Sequence, residues 1–256
     1  MDRRGLIYGL IAYGLWGILP LYWKVIRHVS AQEILVHRII WSFFFLSLLL
    51  SLRRQWGWLR GVVKQRNTLR ILIAAALLLS VNWFIYIWAV NAGFVVETSL
   101  GYFINPLVNV LLGTFYLREK LRPGQWAAVS LAAAGVLYLT ISYGSPPWIA
   151  LSLAFSFGIY GLLKKKVNLG AAESLTTEMS VLLLPAIGYL VYLELTQKAV
   201  FRSSEAVTVL FMIGTGVVTA TPLVFFAAAA RRVPLSMLGL LQYIAPTMQF
   251  LIGITA

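Results

Sequence analysis

From Pro123 to Leu163 this chain carries no charged side chain, and no other feature limits its fold as tightly. A helix rises about 1.5 Å per residue and needs roughly 20 residues to cross a hydrocarbon core of about 30 Å, so the stretch is long enough to cross twice. Its middle holds Ser142, Tyr143, Gly144, Ser145, Pro146 and Pro147, and paired prolines end one helix and begin another. The rest of the chain repeats the pattern of long uncharged runs and short basic loops. Spans are expected at Gly5 to Trp23, Glu33 to Leu52, Ile71 to Asn91, Val95 to Leu117, Pro123 to Ile141, Trp148 to Leu163, Ser174 to Leu193, Ala206 to Ala230 and Pro234 to Ala256. The fold class is therefore an all-α membrane protein with nine spans. Composition agrees: 60% of residues are hydrophobic and 11% charged, against about 25% charged in ordinary soluble domains.

The loops set the orientation. With the N-terminus in the cytoplasm, the inside segments hold 16 Lys and Arg, namely Arg3 and Arg4, six between Arg53 and Arg70, then Arg118, Lys120, Arg122, Lys164, Lys165, Lys166, Arg231 and Arg232. The outside segments hold 4, Lys24, Arg27, Lys198 and Arg202, and Arg38 remains inside a span. Positive charge accumulates on the cytoplasmic side of membrane proteins, so the N-terminus is expected inside. The same count accounts for the net charge of +13. Basic loops lie against anionic headgroups, and nucleic acid is not an expected partner.

Several chemistries are excluded. The chain has no Cys, which removes disulfides and thiolate sites, and its one Asp is Asp2, so no aspartate cluster can hold Mg²⁺ for phosphate chemistry. The two histidines, His28 and His37, form no zinc motif, and no Gly-x-x-x-x-Gly-Lys loop is present for ATP. No metal, cofactor or enzymatic activity is expected.

An internal repeat organises the spans. At a shift of 246 − 106 = 140, Leu100, Ile104, Pro106, Leu111 and Gly113 meet identical residues, and Asn109 meets Gln249. The first and sixth spans agree at a shift of 165 − 24 = 141, where Trp16, Gly17 and Ile18 meet Phe157, Gly158 and Ile159. A repeat unit of five helices enters the membrane from the opposite side in its second copy. The expected halves are residues 1–142 and 146–256, related by inversion, a recurrent plan of secondary transporters with the substrate near the midplane. The same shift applied to Pro123 to Ile141 calls for a tenth span at about 263 to 281, so the second half is expected to be incomplete in this chain.

Pro106 and Pro246 each remove a mid-span backbone hydrogen bond and are the expected hinge positions. Tyr102, Asn105 and Asn109 share a helical face with the first of them, and Gln242 and Gln249 hold the matching face beside the second. Amides in hydrocarbon either tie helices together or line a polar cavity, and both readings stand at this point. Ser30 and Glu33 form a capping box for the second span, with Arg38 available to pair with Glu33. Intramembrane ionisable residues are functional candidates by default, so His37 and Arg38 join the set. Trp16, Asn82, Tyr86 and Tyr160 supply neighbouring aromatic and polar faces, with Trp41, Trp83 and Trp88 near them. Glu97 and Glu178, close to span ends, read as solvated caps. The expected partners are a small-molecule substrate and the lipid bilayer. The rivals are a structural or lipid-moving helical protein and an intramembrane transferase, the latter disfavoured by the shortage of carboxylates and histidines.

Specific runs carry a resemblance. Glu33 to Phe45, Asn82-Trp83 with Ile87 to Asn91, Ser99 to Asn109, and Ala154 to Phe157 followed by Tyr160-Gly161 and Lys165-Lys166 closely resemble the RarD proteins, bacterial inner-membrane members of the EamA group in the drug/metabolite transporter superfamily. The resemblance covers essentially the whole chain. It implies two inverted five-helix halves with ten spans and a permease associated with chloramphenicol sensitivity, and it brings no catalytic residue set.

Overall fold

The computed structural model describes residues 2–144, 146–201 and 204–255. Ser145, Arg202 and Ala256, which entered the loop and span assignments above, lie outside the described residues. Those described form helices and no strands: α1 (Arg3–Val25), α2 (Ala31–Leu52), α3 (Trp58–Lys64), α4 (Arg66–Asn91), α5 (Val95–Leu111) running into a π-helical turn (Leu112–Tyr116), α6 (Pro123–Tyr143), α7 (Trp148–Lys166), α8 (Ala171–Leu195), α9 (Ala206–Ala230), α10 (Leu235–Gln242) and α11 (Ile244–Thr255). The ends follow local chemistry. Asp2 accepts from the backbone of Arg4 and Gly5, Ser30 accepts from Glu33 N, and α6 opens on Pro123 and closes on Gly144 at φ +77, a left-handed position that suits glycine.

Among the described residues, six helices, α1, α2, α4, α6, α8 and α9, are long and apolar enough to cross a membrane by themselves. The other three expected spans differ for stated reasons. The α-helical part of α5 ends after 17 residues and the π turn carries it on, and α7 ends in three lysines. The last expected span, read as one helix, breaks at Tyr243. Pro246 has no N–H to give the carbonyl of Gln242, so the backbone ladder opens there. Pro106 removes the equivalent bond to Tyr102, yet α5 passes through it unbroken.

Helix α1 packs on α9 and α11, α2 on α8 and α9, α4 on α7 and α8, α5 on α7 and α10, and α6 on α5. Small residues allow the closest approaches. A Cβ on Gly239 of α10 would lie 2.6 Å from the carbonyl oxygen of Pro106, and one on Gly216 of α9 would lie 2.3 Å from the carbonyl carbon of Trp41 on α2. Outward surfaces are apolar, with Leu131, Leu184 and Leu195 at 77%, 79% and 80% exposure. An exterior of this kind suits hydrocarbon rather than water.

Candidate functional site

A cavity of about 510 Å³ opens among α1, α2, α4, α5, α7, α9, α10 and α11, within the usual size range for small-molecule sites. Trp16, Pro20 and Trp23 of α1, Arg38 of α2, Asn82, Trp83 and Tyr86 of α4, and Tyr102 and Asn105 of α5 line it. So do Phe157 of α7, Thr219 of α9, Gln242 of α10, and Pro246 and Gln249 of α11, with Lys24 and Arg27 at the C-terminal end of α1.

Arg38 projects from the second turn of α2 into this space. Its Nε donates to Thr219 Oγ1 at 3.0 Å, and its guanidinium carbon lies 5.3 Å from the Trp23 ring centroid and 4.7 Å from that of Trp83. No ion pair to Glu33 forms. That carboxylate is fully buried and accepts from the backbone N–H groups of Val200 at 2.9 Å and Phe201 at 3.0 Å, in the segment between α8 and α9. Ser30 therefore caps α2 as expected, but Glu33 does not reach back. Two backbone donors held in place by the fold offer a buried carboxylate more than one N–H at its own helix end.

Amide side chains join helices around the cavity. Asn105 Nδ2 donates to the Ala154 carbonyl at 2.6 Å, and Asn109 Nδ2 donates to Asn105 Oδ1 at 3.2 Å and Gln242 Oε1 at 3.0 Å. Asn82 Nδ2 donates to the Leu153 carbonyl and to Ser156 Oγ, both at 2.9 Å, and Gln249 Nε2 donates to the Trp16 carbonyl at 3.0 Å. Asn82, Asn105 and Gln242 thus tie helices together and line the cavity at the same time.

Of the residues singled out by sequence, Trp16, Arg38, Asn82, Tyr86, Tyr102, Asn105, Gln242 and Pro246 line the cavity, and His37, Asn109, Tyr160 and Pro106 do not. His37 precedes Arg38 by one residue, about 100° around the helix, which turns it away. It is buried, stacks on Phe201 at 4.6 Å, and its Nδ1 accepts from Trp41 Nε1 at 3.0 Å. Asn109 is one layer deeper than Asn105 and fully buried, and Pro106 faces Gly239.

Tyr160 belongs to a second cluster that sequence reading missed. Lys164 and Glu178 are buried at 2% and 0% exposure and form an ion pair of 2.6 Å. Ser174 Oγ lies 3.0 Å from the same carboxylate oxygen, and the Tyr160 hydroxyl donates to the other at 3.1 Å. Glu178 is therefore not the solvated cap expected of it, and neither is Glu97, which is buried at the start of α5. The signal was present as two pairs at i, i+4 spacing, Tyr160 with Lys164 and Ser174 with Glu178, on consecutive helices. A column of rings leads from the cavity to this cluster. Trp16 meets Phe157 at 5.9 Å, Phe157 meets Phe226 at 5.3 Å, and Phe226 stacks on Tyr160 at 6.1 Å.

At the end opposite Lys24 and Arg27, Glu119 accepts from Leu235 N at 2.8 Å, Ser236 N at 3.0 Å and Ser236 Oγ at 2.8 Å, at the start of α10. A carboxylate at a helix N-terminus meets unpaired N–H groups and the positive end of the helix dipole. Lys165 Nζ lies 3.6 Å from Glu119, and Asp2 pairs with Arg232 at 3.6 Å. Among the described residues, no group of three or more His, Cys, Asp or Glu comes together as a metal site.

The family model of EamA-like transporters matches residues 3–141. The chain belongs to the EamA-like transporter family. It is 51% identical over 253 residues to protein RarD of Streptomyces exfoliatus, covering 99% of this chain and 80% of that one. To the uncharacterized transporter YojE of Bacillus subtilis it is 49% identical over 256 residues, covering 98% and 85%. Within the family it stands with the RarD proteins. A solved crystal structure with 19% identity shares the fold at a TM-score of 0.74, over 98% of this chain and 88% of that one. The chain is a multi-pass membrane transporter of the drug/metabolite type.

Proposed function

We propose that this chain is a secondary transporter that exports small organic molecules across the bacterial inner membrane by alternating access, without enzymatic chemistry or a resident cofactor. The observation that carries the reading is the cavity itself. Helices from residues 1–142 and from residues 146–256 both contribute to its wall, the first segment with fifteen lining residues and the second with eight. Its two ends are unlike: it reaches Lys24 and Arg27 at one, while Glu119, Lys165, Asp2 and Arg232 tie the two segments together at the other. That asymmetry is what one state of an alternating-access cycle requires, here with the cytoplasmic side closed.

The inverted repeat is part of this reading, and helix packing supports it. Under the expected correspondence of α1 with α7, α2 with α8, α4 with α9, and α5 with α10 and α11, the most extensive contacts have their mirrors, whereas α5–α6 has none. The pair α1–α9 answers α7–α4, α2–α9 answers α8–α4, and α1–α11 answers α7–α5, while α2–α8 and α5–α10 answer themselves. On this reading the chain has nine spans and a cytoplasmic N-terminus. A reporter fused after Gln65 is then expected inside, and one fused after Gly144 outside. Protease accessibility of both fusions checks this, and finding them on one side would end the nine-span assignment.

Transport is tested in proteoliposomes challenged with amino acids, sugars and chloramphenicol. Flux above that of empty vesicles for at least one class is expected, and none would favour a structural or lipid-moving role. Asn105→Leu removes the bonds to Ala154 and Asn109 together with a polar wall of the cavity. The interhelical bond to Ala154 contributes about 0.6 to 1.7 kcal/mol and the bond to Asn109 lies within α5, so the variant is expected to fold and to lose most of its flux. Equal loss of folded protein would reduce Asn105 to a helix tie.

A further inference from the structure

We infer that the cavity binds a small organic anion bearing an aromatic ring, with its carboxylate on the guanidinium of Arg38. The inference rests on the transporter reading for its biological sense and on the cavity alone for its chemistry. Among the described residues, Lys24, Arg27 and Arg38 line the space and no carboxylate does. Among the described residues, Arg38 has one hydrogen-bond acceptor, Thr219, and no ion pair. Glu33, one face away on α2, is engaged by Val200 and Phe201. A guanidinium at membrane depth without a counter-ion is costly, and such residues mark ligand pathways or pair with what passes.

The geometry also selects the kind of anion. The rings of Trp23 and Trp83 lie beside the guanidinium and Thr219 takes Nε, which fixes the side chain and leaves the terminal nitrogens with four N–H donors. A planar fork of that kind matches a carboxylate with two parallel bonds. Beyond it the wall is aromatic: Tyr86 and Tyr102 meet edge to face at 5.9 Å, and Trp16 meets Phe157 at 5.9 Å. A ring fits such a wall better than a sugar, whose hydroxyls would lose water without gaining partners. A ligand ammonium would meet the Arg38 guanidinium and, among the described lining residues, no carboxylate, so a net anion is preferred to a zwitterion and a zwitterion to a cation.

Isothermal titration of the purified full chain in detergent at neutral pH tests this with one ring in three charge states: phenylacetate, phenylalanine and phenethylamine. Phenylacetate is expected to bind most tightly, phenylalanine about tenfold more weakly, and phenethylamine more weakly again. Cyclohexylacetate separates ring from charge and is expected to bind more weakly than phenylacetate. Arg38→Gln is expected to weaken phenylacetate binding by about tenfold or more, the usual worth of hydrogen bonds to a charged group, and Arg38→Lys to restore part of it. A merely structural Arg38 would not alter the preference among the three charge states. Should Arg38→Gln fail to fold, the charge series on the unaltered chain still decides. Phenethylamine or phenylalanine binding as tightly as phenylacetate overturns the inference, as does phenylacetate binding unaffected in a folded Arg38→Gln. Phenylacetate bound through Arg38 but never carried across proteoliposomes would leave this site standing and remove the transporter reading. Flux of another solute class with no phenylacetate binding would do the reverse.

Discussion

Replacing Lys164 by alanine is expected to cost about 3 to 5 kcal/mol of stability, the usual result of stranding one member of a buried ion pair. Glu178 would remain at 0% exposure with only the hydroxyls of Ser174 and Tyr160 to face its charge. Unfolding of the purified chain by heat or by increasing SDS measures the loss. The paired change Lys164→Met with Glu178→Leu removes both charges while keeping the volume, and is expected to recover most of it. The contrast matters because both charges lie below the aromatic column, outside the cavity wall. A single variant as stable as the parent would mean that the pair does not join α7 to α8. A double variant as unstable as the single one would mean that packing, rather than the stranded charge, sets the cost.

That cluster marks where sequence reading stopped. Span positions were legible because a bilayer imposes a length and excludes charge, so Ala206–Ala230 matches its expected bounds and α1 and α2 differ by two residues at most at each end. Which face of a span turns inward was less legible. Lipid tails and protein interiors are equally apolar, so no periodic polar face distinguishes them along most helices. Only scattered polar residues give a bearing. They sufficed for Arg38, Asn82 and Asn105, and they failed for Glu178, whose place near a span end looked solvated until α7 supplied Lys164. Glu33 failed in the same way, because its partners at Val200 and Phe201 are far along the chain. The break at Tyr243 was half legible. Pro246 announced a lost hydrogen bond, but the matching Pro106 leaves α5 continuous, so proline alone does not decide between a kink and a break.

Gly216→Ala is expected to destabilise the chain by about 1 to 3 kcal/mol, although alanine in a helix is ordinarily favoured over glycine by about 1 kcal/mol. The added Cβ would sit 2.3 Å from the carbonyl carbon of Trp41, 2.5 Å from its carbonyl oxygen and 2.6 Å from its Cβ. Backbone cannot rotate aside as a side chain can, so α2 and α9 must separate. Two bonds span that contact: Ser42 Oγ donates to the Gly216 carbonyl at 3.2 Å, and Arg38 Nε to Thr219 Oγ1 at 3.0 Å. Separation therefore reaches the cavity as well as the core, and ligand binding through Arg38 is expected to weaken with stability. Gly135→Ala on α6 is the control, since nothing lies within 4 Å of the Cβ it would add. It is expected to be neutral or slightly stabilising in the same SDS or thermal unfolding experiment. If the two variants unfold alike, the close approach of α2 to α9 is not what holds Arg38 in the cavity wall.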